Sequence, residues 1–262
     1  MQPFSYLRPE SLADAVRAAG AADAKVIAGG QSLLGAMKLG LAAHGTLVDL
    51  QGVPGLSKIA LDAGALTIGA LATHAEVAAS AVVRQAIPAL AALAGQIGDR
   101  QVRHRGTLGG SLANNDPAAC YPAALLALDA TVHTDRRRIA AADFFRGFYT
   151  TALAADELIT AVSFALPERA AYQKLPQPAS RFALVGVFVA RGPGGVRVAV
   201  TGAASGAMRV AALEARLARD WSAAACEGVS LPADGFGSDL HASAEYRAAM
   251  VPVLAARAVA SS

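Results

Sequence analysis

Cysteine and histidine are scarce in this chain. Its 262 residues include two cysteines, Cys120 and Cys226, and five scattered histidines. Two cysteines cannot build a disulfide framework or a cysteine metal cluster, and the histidines do not pair at the spacing of a metal site. We therefore predict no metal site in this chain, and any demanding redox chemistry must come from an organic cofactor.

Long apolar runs and an excess of one charge are also missing. Hydrophobic residues make up 54% of the chain, but none of their continuous runs is long enough to span a membrane. Met1–Tyr6 lacks the basic and apolar regions of a signal peptide, so we expect a cytoplasmic protein. The net charge of +3 argues against a nucleic-acid-binding surface. The one basic cluster, Arg136–Arg138, is better explained as a hairpin-like turn than as a phosphate-binding site.

The first fifty residues alternate between strand and helix patterns, which is typical of an α/β unit. The predicted elements are a helix through Ala19 capped by Ser11, strands at Lys25–Ala28 and Thr46–Leu50, and a helix from Ser32 to about Leu39.

After Val53 the pattern changes. We predict a hairpin of Leu56–Leu61 and Ala65–Ala70 around Asp62–Gly64, a helix capped by Thr73, a helix over Val82–Ala94 ended by Gly95, and a helix within Pro117–Leu128. Strands at Ala130–Thr134 and Glu157–Leu166 enclose a turn through Tyr149 that Asp143 would cap.

Pro167–Ser180 contains three prolines, which favours a linker. The tail beyond it is predicted to hold strands Phe182–Arg191 and Val196–Ala203, helices at Met208–Arg219, Ser222–Glu227 and Ala244–Ala260, and Trp221 in its core. The resulting domain prediction is a first subdomain at 1–54, a second subdomain at 55–167, a linker at 168–180 and a C-terminal domain at 181–262.

Two glycine-rich segments attract attention: Val26–Leu33, the first glycine segment, and Arg103–Pro117, the second. Glycine permits the backbone to turn sharply and its N–H groups to approach a phosphate closely. A helix that starts at Ser32 would direct its free N–H groups to the same place, and Ser32, Thr107 and Ser111 could add hydroxyl donors. Neither segment matches the Rossmann or P-loop motif. We predict that both are loops and that together they form two sides of one phosphate site.

These segments resemble the FAD-binding medium subunit of molybdenum hydroxylases, the group of carbon monoxide dehydrogenase and xanthine dehydrogenase. The matching residues are Ala28–Leu34, Arg103–Pro117 and Pro122–Asp129, with Phe4, Tyr6 and Pro9 near the start and Ser243–Arg247 late in the chain. The resemblance covers nearly the whole chain, and the two glycine motifs in this order are specific.

The resemblance implies an α+β protein. Two α/β subdomains would form an FAD-binding fold of the vanillyl-alcohol-oxidase (PCMH) type, followed by a C-terminal domain of a small antiparallel sheet with helices. The implied FAD-binding residues are Ile27, Ala28, Gly29, Gly30, Gln31, Ser32 and Leu33 on one side of the pyrophosphate, Gly106, Thr107, Leu108, Gly109, Gly110 and Ser111 on the other, Asn114, Asn115 and Asp116 beyond them, Ile97 and Gly98 near the isoalloxazine, and Leu158, Ile159 and Lys174 bordering the flavin.

Two positions depart from the family pattern. Cys120 replaces an acidic residue that accepts from the FAD ribose; a thiol is a weaker acceptor, and a small buried apolar role is favoured for it. Losing that charged hydrogen bond would weaken FAD binding by about 1.5–3 kcal/mol unless a neighbour compensates. Gln177 and Arg181 replace the arginine and aspartate that many members carry after the lysine equivalent to Lys174.

Several side chains keep two interpretations. Asp116, directly before Pro117, fits a cofactor contact or the cap of the next helix, and the resemblance favours the contact. Arg103 and Arg105 either anchor the second glycine segment or face an iron–sulfur partner, and His104 is expected to be exposed. Phe148 and Tyr149 are expected to pack beneath the second glycine segment; the alternative is that their rings lie close to the flavin.

From the resemblance we expect an FAD-carrying electron-transfer subunit with no catalytic acid or nucleophile of its own. Its implied partners are a molybdopterin-binding large subunit and a small subunit with [2Fe–2S] clusters, in a heterotrimer or its dimer. Electrons would arrive from the clusters and leave to an external acceptor. The alternatives are a stand-alone flavin oxidoreductase of the same fold and a bridging subunit without FAD, which only Cys120 favours.

Overall fold

The computed structural model describes residues 1–62 and 64–262. The chain begins with a parallel three-stranded sheet in the order β1-β3-β2, with one helix after β1 and another after β2. The elements are β1 (Ser5–Leu7), α1 (Leu12–Ala19), β2 (Ala24–Ile27), α2 (Leu33–Lys38) and β3 (Thr46–Asp49). The predicted order is confirmed, because the local signals are strong. Ser11, for example, caps α1 by accepting from the Asp14 N–H at 3.1 Å.

A five-stranded antiparallel sheet follows, in the order β4-β5-β10-β6-β7. Its strands are β4 (Ile59–Asp62), β5 (Ala65–Gly69), β6 (Thr131–Thr134), β7 (Arg138–Ala140) and β10 (Ile159–Ala165). A separate hairpin pairs β8 (Phe145–Gly147) with β9 (Thr150–Thr151). The predicted pairing of β4 with β5 is confirmed, although Ala63 in its turn lies outside the described residues.

Helices cover this sheet and bury a large apolar core with it. They are α3 (His74–Ala79), α4 (Ala81–Ala86), α5 (Pro88–Gly95), α6 (Arg100–Arg105), α7 (Leu108–Asn114), α8 (Tyr121–Ala127) and α9 (Ala141–Phe144). Thr73 begins α3 with a capping box to Glu76, as predicted for a capping residue.

Three predictions in this region are wrong. The single helix over Val82–Ala94 is two helices, because Pro88 starts α5 and forces Ile87 out of helical geometry (φ −142°, ψ 77°). Gly95 is the last residue of α5 rather than its terminator. Asp143 lies inside α9 and does not cap a turn through Tyr149.

The prediction that the second glycine segment is a loop is also wrong. It holds the second half of α6 and all of α7. Asp99 caps α6 by accepting from the Val102 N–H at 2.8 Å, and Thr107 caps α7 by accepting from the Gly110 N–H at 3.1 Å. Glycine disfavours helix by about 1 kcal/mol per residue, but contacts with the rest of the protein decide the structure here.

The C-terminal part is an antiparallel sheet in the order β11-β12-β13-β14, covered by two helices. Its elements are β11 (Arg169–Pro176), β12 (Ala183–Gly192), β13 (Gly195–Thr201), β14 (Met208–Arg209), α10 (Ala211–Arg219) and α11 (Ala244–Ala260). Trp221 packs against this core, and its Nε1 donates to the Ser262 hydroxyl at 3.1 Å.

The predicted linker at 168–180 contains β11, which pairs with β12 along its whole length. The prolines do not prevent this strand because Pro167 precedes it, Pro176 is its last residue and Pro178 follows it. The assignment of residue ranges to domains stays a prediction. In the described part of the chain, no helix has both the length and the apolar character needed to cross a bilayer.

The basic cluster lies at the turn between β6 and β7, as predicted, and Arg136 and Arg137 form ion pairs there. Arg137 donates to both carboxylate oxygens of Glu157, at 2.8 and 2.7 Å. Thr134 Oγ1 and the Ala154 N–H also donate to this carboxylate, at 2.8 and 3.0 Å. Glu157 is only 5% exposed, and these donors, Arg137 first, lower its pKa to about 2.

We expect Glu157→Gln to lower the free energy of unfolding at pH 7 by about 2 kcal/mol. The folded-state pKa lies below the usual value, so the stabilisation is complete above pH 4.5 and is lost as the pH falls toward 2. Urea unfolding between pH 3 and 7 measures this, with the exposed Glu168→Gln as the control. Identical acid limbs in wild type and Glu157→Gln would contradict the prediction.

Candidate cofactor site

The two glycine segments meet in the structure. A Cβ atom built on the buried Gly29 would lie 1.9 Å from the Arg105 carbonyl oxygen and 2.9 Å from Gly106 Cα. One built on Gly110 would lie 3.7 Å from Ala28 Cβ. The backbones therefore touch where only glycine fits, which is the arrangement that a two-sided phosphate site requires.

The first glycine segment presents a row of free backbone donors. Gly30 has φ +71°, a left-handed conformation that turns the chain from β2 into α2. Within residues 1–62 and 64–262, the N–H groups of Gly29–Leu33 form no hydrogen bond with the protein; the next N–H, of Leu34, bonds to the Gly30 carbonyl at 3.1 Å. Gln31 and Ser32 are exposed. Successive free N–H groups of this kind form an anion-binding concavity.

The N–H groups of the second glycine segment are largely used within the protein. Those of Leu108 and Gly109 donate to the carbonyls of Ala72 and Ala70 at 3.0 and 2.8 Å, and those of Gly110 and Ser111 donate to Thr107 Oγ1 and O at 3.1 and 3.0 Å. This segment therefore offers close packing and hydroxyl groups more than free N–H groups. A Cβ on Gly109, for example, would lie 2.7 Å from Ala70 Cβ.

His74, which the sequence did not single out, lies directly beneath Gly106. A Cβ built on Gly106 would lie 2.6 Å from His74 Nε2, and the His74 N–H donates to the Gly106 carbonyl at 2.9 Å. His74 is 5% exposed, and burial, with Arg103 as a lesser cause, lowers its pKa to about 4. The ring is therefore neutral at pH 7, so this support for the second glycine segment carries no charge.

A second cluster gathers around Lys174. Its Nζ donates to the Gln96 carbonyl at 2.7 Å, the Arg181 carbonyl at 3.0 Å and Cys120 Sγ at 3.6 Å. The carbonyls of the next two residues, Ile97 and Gly98, accept from Arg103 at 3.0 and 2.9 Å. The structure thus brings Ile97, Gly98, Cys120 and Lys174 together, and Arg103 acts as an anchor.

Cys120 is 5% exposed at the start of α8, in agreement with the small buried role favoured for it. Tyr121 and Tyr172 lie nearby in the same core. Burial, and secondarily Cys120, raises the pKa of both phenols, which therefore stay neutral. Within the described residues neither hydroxyl has a hydrogen-bond partner.

The residues at the end of α7 are tied to the β8–β9 hairpin. Asn115, with φ +44° and 1% exposure, donates through Nδ2 to the carbonyls of Gly147 and Thr150, both at 2.8 Å. Asp116 accepts from the Ala118 N–H at 2.9 Å and from the Tyr149 hydroxyl at 3.1 Å. The amide hydrogens of Asn115 are therefore committed to the hairpin, and Asp116 caps a turn ahead of α8 rather than the helix itself.

The expectation that Phe148 and Tyr149 pack beneath the second glycine segment is wrong, because their rings are 66% and 50% exposed. The short hairpin places both at its tip, and Tyr149 reaches the segment only through its bond to Asp116.

The remaining predicted residues divide between two places. Leu158 is buried in the core that Ala28 also packs against, so it lies beside the first glycine segment, whereas Ile159 belongs to the large core around Cys120.

Gln177 and Arg181 form the connection between β11 and β12, where Gln177 Oε1 accepts from the Ser180 N–H at 2.6 Å. Asn114 is half-buried on α7, and His104 and Arg105 are exposed.

Comparison with known proteins agrees with this geometry. Residues 2–167 match the family model described as the FAD binding domain in molybdopterin dehydrogenase. The chain is 37% identical to the nicotine 6-hydroxylase medium subunit of Paenarthrobacter nicotinovorans, over 97% of this chain and 95% of that protein. It is 33% identical to the carbon monoxide dehydrogenase medium chain of Hydrogenophaga pseudoflava, over 98% of this chain and 96% of that one.

Solved structures give the same result. Carbon monoxide dehydrogenase from Hydrogenophaga pseudoflava, in a form lacking the Mo-pyranopterin moiety of its cofactor, matches with a TM-score of 0.87 at 33% identity, over 99% of this chain and 98% of that one. Quinoline 2-oxidoreductase from Pseudomonas putida 86 matches with a TM-score of 0.89 at 29% identity, over 99% and 96% of the two chains. The expected α+β fold with a PCMH-type FAD-binding domain is therefore confirmed. The chain belongs to the family of FAD-binding medium subunits of molybdenum hydroxylases; it is an oxidoreductase subunit, and FAD is its cofactor.

Proposed function

We propose that this chain takes electrons from [2Fe–2S] clusters of a partner subunit and passes them to an external acceptor. The observation that carries the proposal is the row of free N–H groups at Gly29–Leu33, packed against the second glycine segment through a contact that only glycine permits. A pyrophosphate carries the negative charge that such a concavity binds. When bound, FAD supplies the redox chemistry, and this chain supplies binding and position.

In this proposal the Gly29–Leu33 N–H groups donate to the pyrophosphate oxygens, and the Ser32 and Ser111 hydroxyls add to them. Ile27, Ala28 and Gly106–Gly110 shape the two sides of the site, and Leu158 and Ile159 close it. Ile97, Gly98, Cys120 and Lys174 border the flavin, and Asn114–Asp116 extend the second side.

The proposed partners are a molybdopterin-binding large subunit and a [2Fe–2S] small subunit, in a heterotrimer or its dimer. Two relatives are named as the medium subunit of nicotine 6-hydroxylase and the medium chain of carbon monoxide dehydrogenase, names that imply other subunits in those enzymes. A cytoplasmic location belongs to the same proposal, supported by two free, buried cysteines. The organic substrate would bind on another chain.

We expect the purified full-length chain to show a flavin spectrum and to release about one FAD, and no FMN, per chain on denaturation. Absorbance near 450 nm and chromatography of the released flavin measure this. Protein that stays colourless after FAD is added would contradict the proposal and favour the bridging alternative.

Electron transfer needs a second measurement. The flavin of the isolated chain should stay oxidised when the organic substrate of the complex is added, and it should bleach once the large and small subunits are present. Bleaching by that substrate without partners would instead support the stand-alone oxidoreductase.

A further inference from the structure

One fully buried hydroxyl group connects the C-terminal sheet to the turn between α7 and α8. Thr201, the last residue of β13, is 0% exposed, and its Oγ1 lies 2.6 Å from the Ala119 carbonyl oxygen and 2.9 Å from that of Pro117. We infer that Thr201 is a positioning residue for the cofactor site: it holds this turn, and with it the flanking Asp116 and Cys120. The link to FAD rests on the proposed function, whereas the link to the turn rests on these distances alone.

The hydrogen bonds at this junction follow from counting the donors. A threonine hydroxyl has one hydrogen, so it donates to the nearer carbonyl, that of Ala119. The N–H of the next residue, Gly202, donates to the Pro117 carbonyl at 2.8 Å. Each of the two carbonyls thus has one donor from the end of β13. Removing the hydroxyl leaves the Ala119 carbonyl without this donor, and the turn loses one of its two bonds to the sheet.

The turn that Thr201 holds lies between two residues of the proposed cofactor site. Asp116 accepts from the Ala118 N–H through Oδ1 and from the Ala119 N–H through its carbonyl, both at 2.9 Å. Asp116 and Ala119 therefore belong to one hydrogen-bonded unit. Cys120 follows directly and precedes α8. A shift of Ala119 moves Asp116 and Cys120 with it, so a residue of the C-terminal sheet acts on a site built by the earlier part of the chain.

Thr201 is itself held in place by its neighbours. Gly202 has φ +78°, and a Cβ built on it would lie 2.2 Å from the Ala183 carbonyl oxygen, so the chain turns where only glycine fits. The Gly202 carbonyl accepts from the buried Arg247 at 2.7 Å. Thr201 also pairs with Gly186, where a Cβ would lie 3.0 Å from Thr201 Cγ2. A hydroxyl group with so little freedom fixes the position of its acceptor.

The neighbouring residue on β13 separates this role from a purely structural one. Val200 is 1% exposed, but it belongs to the core between the C-terminal sheet and its helices, on the opposite face of the strand from Thr201. Val200→Ala therefore weakens the C-terminal part of the protein without removing a bond to the turn. If Thr201 only stabilises the fold, substitutions at the two positions will have the same effect on FAD.

Dilution of the flavin-loaded full chain, followed by flavin fluorescence, tests the inference. Thr201→Val keeps the shape and removes the hydroxyl, so it should raise the FAD dissociation constant about tenfold. Thr201→Ser keeps the hydroxyl and Val200→Ala leaves the turn intact, so each should change the constant less than about twofold. The visible circular dichroism of the bound flavin should change only in Thr201→Val, because only this variant moves groups that border the flavin.

Amide hydrogen exchange of the purified full chain is the second arm, and it does not depend on the cofactor. The N–H groups of Ala118 and Ala119 should exchange about tenfold faster in Thr201→Val than in wild type, and Thr201→Ser should restore the slow exchange. Where Thr201→Val does not fold, Thr201→Ala and Thr201→Ser give the same comparison, since these two variants differ only in the hydroxyl.

Equal FAD affinity in Thr201→Val and wild type overturns the inference, as does an equal loss in Val200→Ala. A Thr201→Ser variant that binds FAD as weakly as Thr201→Val also overturns it, and so does unchanged exchange at Ala118 and Ala119. Failure of the proposed function has a different sign. The wild-type chain then stays colourless after FAD is added, which removes the cofactor role of Thr201, while the exchange rates still decide whether its hydroxyl holds the turn.

Discussion

Gly29→Ala is expected to weaken FAD binding at least 100-fold, about 3 kcal/mol. The new methyl group would lie 1.9 Å from the Arg105 carbonyl oxygen and 2.6 Å from its carbon, far inside contact distance. Because both obstacles are backbone atoms, the two glycine segments must separate, and the N–H groups of the first would no longer face the second. Dilution of the flavin-loaded protein, followed by flavin fluorescence, measures the loss.

Gly35→Ala is the matched control for this prediction. Gly35 lies in α2, two residues beyond the free N–H groups, and a Cβ there meets no atom within 4 Å. FAD affinity should be unchanged, and the helix should gain about 0.5–1 kcal/mol. Equal FAD affinity in Gly29→Ala and Gly35→Ala would remove the basis for the proposed pyrophosphate site.

Ser32→Ala covers the case in which Gly29→Ala does not fold. The Ser32 side chain is exposed and makes no capping bond to α2, so folding should not depend on it. If its hydroxyl donates to a phosphate, its loss should weaken FAD binding by about 1 kcal/mol, roughly fivefold. An unchanged dissociation constant would exclude the hydroxyl from the site.

Arg247→Met is expected to lower the free energy of unfolding by about 3–5 kcal/mol. Arg247 is buried on α11 and donates to the carbonyls of Leu184 and Gly202, so it joins this helix to β12 and to the end of β13. Methionine fills a similar volume but donates nothing, which leaves both carbonyls without this donor. Urea unfolding followed by circular dichroism measures the change.

Arg257→Met is the control that distinguishes the loss of a buried arginine from the loss of any arginine on this helix. Arg257 is an exposed arginine on the same helix, and its replacement should change stability by less than about 0.5 kcal/mol. Asp239→Asn, which keeps the guanidinium but weakens its half-exposed partner, should cost about 1 kcal/mol. If Arg247→Met unfolds at the same urea concentration as Arg257→Met, the guanidinium does not join the helix to the sheet.

Much of the fold could be predicted because short-range chemistry determines it. Ser11 and Thr73 begin helices by accepting from N–H groups three residues ahead, and the Gly192–Gly195 turn joins two strands of strong β propensity. The pairing of the two glycine segments was also predictable, since each carries the same residue types. Their contact nevertheless joins Gly29 to Arg105, which are far apart in the sequence.

Errors occurred where distant contacts overrule local preference. Gly109 and Gly110 disfavour helix, yet α7 forms because Gly109 must pack against Ala70. The segment 168–180 is rich in proline, yet β11 forms because the prolines fall outside its hydrogen-bonded interior. In both cases the local composition predicts a loop, and contacts with distant parts of the chain stabilise the helix or the strand instead.

The supports of the site were also beyond sequence reasoning. His74 packs beneath Gly106 and directly follows the capping residue Thr73. That capping signal predicts the start of a helix, but it does not predict that the histidine supports the site. The three acceptors of Lys174 come from positions 96, 120 and 181, which no local pattern connects. A resemblance placed Lys174 near the flavin, but the bonds that fix it require the folded chain.

The position of Trp221 gives the protein two independent optical signals. This single tryptophan packs on the C-terminal core and is tied to Ser262, while the glycine segments belong to the part of the chain before residue 167. Indole emission therefore reports on the C-terminal sheet and its helices, and flavin colour reports on the cofactor site. In one denaturation series, a gap between the two transitions would show that the cofactor leaves before the C-terminal sheet opens; coincident transitions would show that both parts unfold as one unit.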